Sequence, residues 1–274
     1  MFRVRKFSCI IIIGLLCLMF ITGCSLSYSH PEYDGKTIAR RDTLFQVSTI
    51  DALLEGVYDG AISIGILKQH GDFGIGTFAG LDGEMVGLND NFYQIKADGI
   101  AYKVADSIQT PFAAVTYFDT DQKEPLRKDM NFQELELYLD GVLPTVNTFY
   151  AIKIEGVFNY MKTRSVPAQQ KPYPKLVEVA KDQPVFEFRD ISGTMVGFRC
   201  PSYVDGINVP GYHLHFISSS REVGGHVLDF RVQKAIAAID YTPQFFLMLP
   251  GKDSEFYHIN LGQDKQKELE NVEK

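Results

Sequence analysis

Gly211-Tyr212-His213-Leu214-His215-Phe216-Ile217-Ser218, followed after a short link by Gly224-Gly225-His226-Val227, is the stretch on which the reading of this chain turns. Tyr212, Leu214, Phe216 and Ile217 are strand-forming residues, and side chains alternate faces along a strand. His213 and His215 therefore share one face, with Leu214 and Phe216 on the other. Ser218 to Gly225 is rich in turn formers, and His226 opens a second apolar run through Phe230. Folded back as a hairpin, the two runs bring His226 opposite the first pair. Three neutral imidazoles then converge from two rigid strands, a donor set that suits zinc and several other divalent ions. Three protein ligands leave a coordination position for substrate, the pattern of a catalytic metal.

Strands also dominate outward from the hairpin. Phe73 to Phe78, Met85 to Leu88 and Asn91 to Ile95 read as strands, joined by turns at Asp82-Gly83 and Asn89-Asp90. So do Ala61 to Leu67, Tyr102 to Val104, Ala113 to Phe118 and Thr148 to Tyr160. Beyond the proline-bearing segment Arg164 to Lys175 come Val185 to Phe188, Thr194 to Arg199, Tyr212 to Ile217 and Val227 to Val232. Phe245 to Leu249 and Phe256 to Ile259 add two more. Helical spacing is confined to three places. Ile50, Leu53, Leu54 and Val57 follow a Ser48-Thr49 cap, Phe132 to Leu139 ends at Gly141, and the tail from Asp264 is charged and helix-prone. The class predicted is a strand-rich α/β (α+β) fold with two lobes, each on a mixed or antiparallel sheet. The expected boundaries are 44–165 for the first lobe and 166–274 for the second, which carries the histidine hairpin.

The amino terminus reads as an address. Arg3, Arg5 and Lys6 precede the apolar run Ile10 to Ile21, and Ile21-Thr22-Gly23-Cys24 resembles the lipobox of bacterial lipoproteins. Residues 1–23 are expected to be a signal peptide, Cys24 the lipidated first residue of the mature chain, and 24–43 a tether. That predicts an extracytoplasmic protein touching the membrane through its lipid anchor alone. Cys9 and Cys17 lie in the signal, so only Cys24 and Cys200 remain and no disulfide framework is available. The chain carries a formal charge of −7; without the three cations of the signal, 24 basic residues face 34 acidic ones, a net −10. An acidic body of this kind excludes a nucleic-acid partner.

Three stretches together resemble the acetolactate decarboxylase family. They are Gly76-Thr77-Phe78-Ala79-Gly80-Leu81-Asp82-Gly83-Glu84-Met85, Thr163-Arg164-Ser165-Val166-Pro167, and the histidine hairpin itself, in the family's order and spacing. The resemblance runs from about residue 44 to the end. It implies conversion of 2-acetolactate to acetoin and carbon dioxide, a zinc ion on His213, His215 and His226, and a homodimer. It also implies essential roles for Arg164 and Glu84 and for a glutamate near the carboxyl terminus, for which Glu270 and Glu273 compete and Glu273 is preferred. Thr77 is a supporting candidate. On this reading Arg164 orients the substrate carboxylate, zinc polarises the ketone, and a glutamate or bound water protonates the enediolate. Glu84 serves either as acid/base or as a metal ligand, and another divalent ion could replace zinc. Outside the resemblance, His-x-His on a strand also suits a cupin-like metal enzyme, although residues 216–220 lack the acid that cupins place after the second histidine. A non-catalytic metal- or ligand-binding lipoprotein is the other alternative.

Overall fold

In the computed structural model, which describes residues 41–273, the strand-forming runs condense into two large sheets. The first eight strands are β1 (Thr43–Val47), β2 (Ile62–Ser63), β3 (Phe73–Thr77), β4 (Glu84–Leu88), β5 (Asn91–Ile95), β6 (Ala101–Lys103), β7 (Gln109–Thr110) and β8 (Ala113–Thr116). The rest are β9 (Gln122–Leu126), β10 (Phe149–Arg164), β11 (Val185–Cys200), β12 (Gly211–Ser218), β13 (Gly224–Thr242) and β14 (Gln244–Met248). One sheet runs β14-β1-β8-β3-β4-β5-β6 and the other β10-β11-β12-β13-β9, while β2 and β7 form a separate pair. The fold is strand-rich α+β.

The second sheet nearly closes on itself. β10 pairs along its length with both β11 and β13, and β12 pairs with β11 on one side and β13 on the other. Ile152, Phe158, Phe216 and Phe230 meet there in a core that also takes Leu135 and Leu139. Those leucines belong to α3 (Phe132–Val142), which starts at a reciprocal cap: Asn131 accepts from the Glu134 N–H at 2.8 Å, and Glu134 accepts from the Asn131 N–H at 3.1 Å. A second core lies between the sheets, where Leu44, Phe73 and Ile75 meet Ala151, Val196 and Phe198.

Short helices cover the remaining apolar edge. They are α1 (Ile50–Leu54), α4 (Leu176–Val179) and α5 (Gln266–Glu273); α2 (Ile64–Leu67) lies elsewhere. Thr49 caps α1 by accepting from Ala52 N–H, as its position before the apolar run predicts. Leu269 and Val272 carry α5 into a core shared with Ile50, Leu53 and Leu176. Each such side chain contributes about 1.5–3 kcal/mol on full burial.

Some elements differ from expectation. Ala61 to Leu67 is a two-residue strand followed by α2, because Ser63 accepts the Ile66 N–H and turns the chain into a helix. Val185 to Phe188 and Thr194 to Arg199 belong to one strand, since the intervening polar residues pair with β10 at a solvent-facing stretch. Phe256 lies in a short 3-10 turn, not in a strand. α3 continues through Gly141, where an added Cβ meets nothing within 4 Å. Strands from both sides of residue 165 enter each sheet: β9 and β10 join the second, and β14 joins the first. The expected signal peptide, Cys24 and nearly all of the expected tether lie outside the described residues.

Candidate metal centre

The hairpin forms in the expected sense. His213 and His215 lie on β12, and His226 near the start of β13 stands directly opposite His215. Arg164, the last residue of β10, stands opposite His226 on the other side of β13. One cross-strand row therefore runs Arg164, His226, His215. Gly225 permits it: its φ is +137°, and a Cβ there would stand 2.4 Å from the Arg164 carbonyl oxygen. The first sheet supplies Glu84, the first residue of β4, opposite Thr77. Gly83 (φ +87°) makes the turn before it beneath the Ile95 carbonyl. Thr77 braces that turn by donating to the Gly83 carbonyl at 2.7 Å. Glu273 arrives at the carboxyl end of α5, whereas Glu270 is exposed on the same helix.

The three imidazoles are buried, and their inward nitrogens all lie within 4.8 Å of one another. His213 Nε2 is 3.1 Å from both His215 Nε2 and His226 Nδ1. Nitrogens on a tetrahedral zinc, ~2.0–2.1 Å from the ion, stand about 3.3 Å apart. Two of the three outward nitrogens fit the same arrangement, while His213 Nδ1 is buried with no partner among the described residues. His215 Nδ1 lies 2.7 Å from the Met85 carbonyl and His226 Nε2 lies 3.4 Å from the Glu273 carbonyl, so each proton faces outward and each lone pair inward. Burial is the main cause in each case: with the Arg164 charge it lowers His213 to about 3, and with the neighbouring imidazoles and Arg164 it holds His215 and His226 well below the usual histidine range, against the opposing Met85 and Glu273 carbonyls. The cluster is neutral at physiological pH, the state that ligates metal. These residues could hold a divalent ion.

Two carboxylates and a guanidinium surround the cluster. Glu84 Oε2 is 3.6 Å from His215 Nε2, and Glu273 Oε2 is 3.6 Å from His213 Nε2 and 3.8 Å from His226 Nε2. Arg164 Nη1 lies 3.4 Å from Glu84 Oε1, and Nη2 lies 4.0 Å from Glu273 Oε1. Burial raises both glutamates to about 7; the nearby Arg164 opposes this for each, and Glu273 adds to it for Glu84. A dication among the imidazoles would pull both back down by Coulomb attraction.

Sequence alone gave no sign of three further contributors. Gln183 accepts from Arg164 Nη1 at 3.0 Å, the Val272 carbonyl accepts from Nη2 at 2.7 Å, and the Met85 carbonyl faces His215. A backbone carbonyl carries no sequence signature, and Gln183 lies outside any motif. Arg164 Nε is buried with no partner among the described residues, and Arg164 is one of the residues that line a cavity beside the cluster. Ile50, Leu53, Phe112, Leu176 and Val272 give that cavity an apolar wall opposite the polar cluster.

Known proteins place this architecture. The sequence pattern of the family described as alpha-acetolactate decarboxylase matches residues 44–263. Alpha-acetolactate decarboxylase of Methanosarcina mazei is 58% identical over 233 residues, covering 85% of this chain and 81% of the relative. That of Bacillus licheniformis is 43% identical, covering 78% and 85%. The crystal structure of alpha-acetolactate decarboxylase from Bacillus subtilis strain 168 superposes with a TM-score of 0.82 at 40% identity, covering 84% of this chain and 99% of that one.

Proposed function

Because the chain belongs to the alpha-acetolactate decarboxylase family, and is a carboxy-lyase, we propose that it converts 2-acetolactate to acetoin and carbon dioxide with zinc on His213, His215 and His226. The observation that carries this reading is the convergence of three neutral imidazoles, one guanidinium and two carboxylates on one cavity. Family membership displaces the cupin-like and binding-module alternatives.

Bound there, zinc would supply Lewis-acid polarisation to the substrate ketone and hydroxyl oxygens, stabilising the charge left as carbon dioxide departs. The protein's own groups do the rest. Arg164 offers its Nε–H and its fixed charge to the substrate carboxylate, holding the breaking C–C bond in one orientation. When that bond breaks, its electron pair stays on C2 and spreads into the adjacent ketone as an enediolate. The apolar wall of Ile50, Leu53 and Phe112 faces the methyl groups and excludes water. One proton must then reach C2. Glu84 and Glu273 are the acids within reach of the cluster. Glu84 approaches from the first sheet beside His215, and Glu273 from α5 beside His213 and His226.

The test uses residues 25–274, metal-free and zinc-loaded, incubated with racemic 2-acetolactate. Acetoin release that a chelator stops and zinc restores supports the whole reading. Folded, zinc-loaded protein that yields no acetoin would sink it, and turnover indifferent to chelation would remove the metal.

We also propose that the mature enzyme is lipidated at Cys24 and held outside the cytoplasm, on the strength of the basic start, apolar run and lipobox-like tetrapeptide. Cys24→Ser should leave the membrane fraction; retention there would refute the anchor. The homodimer, implied by the family resemblance, is tested by the light-scattering mass of residues 25–274.

A further inference from the structure

Helix α5 brings Glu273 to the histidine cluster, yet it has little with which to hold itself. It spans eight residues, of which only Leu269 and Val272 are buried. Isolated helices this short do not persist in water. Two apolar side chains one turn apart also specify the helix's register weakly. Its position must come from anchors at its ends. At the carboxyl end, the Val272 carbonyl accepts from Arg164. At the amino end, Asp264 accepts the Gln266 N–H at 3.0 Å and the Lys265 carbonyl accepts the Leu269 N–H at 2.9 Å.

Lys265 is the unusual residue in that first turn. It is a lysine only 4% exposed, flanked by exposed polar neighbours. Its ammonium closes on Glu55 Oε1, which also receives Lys175 Nζ at 2.8 Å. Burial raises the Glu55 carboxyl, but hydrogen bonds from the two lysines outweigh it and hold the group below its usual range. Glu55 is the residue that ends α1, and Lys175 immediately precedes α4. A single carboxylate therefore ties together α1, α4 and α5. All three helices wall the cavity, α1 through Ile50 and Leu53, α4 through Leu176 and α5 through Val272 and Glu273. Stability alone does not account for this arrangement, because a buried ion pair can be replaced by apolar residues at little cost. What an ion pair adds is direction and register.

We propose that Lys265 is a positioning residue: clamped on Glu55, it fixes the register of α5 and thereby sets the Glu273 carboxylate against His213 and His226. It acts through Glu273 and touches no substrate. The inference rests on the decarboxylase reading, in which Glu273 meets the reacting atoms.

The experiment compares wild type with Lys265→Met, Lys265→Arg, Glu273→Gln and the double variant Lys265→Met/Glu273→Gln. Lys265→Met keeps an unbranched apolar stem without the ammonium and leaves Glu55 paired with Lys175. The expected result is a kcat fall of roughly ten- to a hundredfold, the scale of an ångström-sized misplacement. Zinc content should be unchanged, and Lys265→Arg should recover most of the rate. In the Glu273→Gln background the same substitution should lower kcat no further. An unchanged kcat, or losses that multiply, would overturn the proposal. Amide exchange over residues 266–273 supplies a readout independent of turnover. It should quicken in Lys265→Met, and unchanged exchange would overturn the proposal even with an inactive wild type. Wild type that fails to turn over 2-acetolactate, with exchange altered as expected, defeats the decarboxylase reading and leaves the anchoring role of Lys265 standing.

Discussion

Arg164 and His226 are directly opposed residues on neighbouring antiparallel strands, so the guanidinium and the imidazole keep a fixed separation set by the β10–β13 ladder. The arginine is 3% exposed and grips Gln183 and the Val272 carbonyl. Its fork geometry matters as well as its charge. Arg164→Lys retains a cation but loses the planar donors. Its kcat/KM for 2-acetolactate should fall by about a hundredfold or more, with zinc content unchanged by elemental analysis. Loss of zinc in step with activity would mean that Arg164 builds the metal centre instead of orienting substrate.

His213 faces both other imidazoles at 3.1 Å and is the hub of the cluster. His213→Ala should abolish zinc binding and turnover together. A ligand that binds only the folded state stabilises it by about 2.7 kcal/mol at a hundredfold excess over Kd. Calorimetry should therefore show zinc raising the Tm of metal-free wild type and leaving His213→Ala unmoved. An equal rise in both would place the ion elsewhere.

Gly225 sits on β13 close against β10 beside the site. Gly225→Ala introduces a Cβ 2.4 Å from the Arg164 carbonyl at a φ of +137°. The strands must part, so the variant should lose about 2 kcal/mol or more of stability and bind zinc more weakly, because His226 is the next residue. Urea unfolding and a zinc titration check the two effects. A variant of normal stability and affinity would show that the ladder yields there without cost.

Asp240, fully buried on β13, provides a pH-dependent case away from the histidine cluster. Burial raises it from 3.8 to about 7; the Asp119 N–H opposes this, while Asp121, Asp42 and Asp119 add to the rise through their charges. A carboxyl whose folded pKa is raised favours folding while protonated. That advantage is complete below about pH 4 and is lost as pH climbs through about 7. Asp240→Asn removes the charge and keeps an acceptor for Asp119. It should stabilise the protein at pH 8 relative to wild type, with the gain shrinking toward pH 5. Urea midpoints at the two pH values decide the matter, and a gain independent of pH would mean that Asp240 ionises freely in the fold.

The histidine hairpin was legible because strand periodicity is local: His213 and His215 share a face whatever surrounds them, and Gly224-Gly225 marks the return. The turns before Glu84 and after Leu88 were legible for the same reason, since Gly83, Asn89 and Asp90 all adopt positive φ. Ser63 was missed as a helix cap inside an apolar run, where hydrophobicity alone reads as strand. The lengths of β11 and β13 were missed because polar residues on a solvent-facing stretch interrupt the apolar signal without interrupting the backbone ladder. Glu273 had no local signature. A carboxylate in a charged tail becomes a site residue only when two distant apolar contacts and a buried lysine dock the helix, and none of that is periodic.

The parallel pairing of β1 with β14 has a consequence for how the protein comes into being. Thr43 bonds to Gln244, 201 positions further along. As the chain emerges in sequence, the first sheet holds an unfinished rim of unpaired amides until nearly everything else has been made. Contacts of such long range slow folding, and exposed strand edges invite association with other nascent copies. Yield from this chain should therefore depend more on synthesis rate, temperature and chaperone supply than the stability of the finished protein suggests.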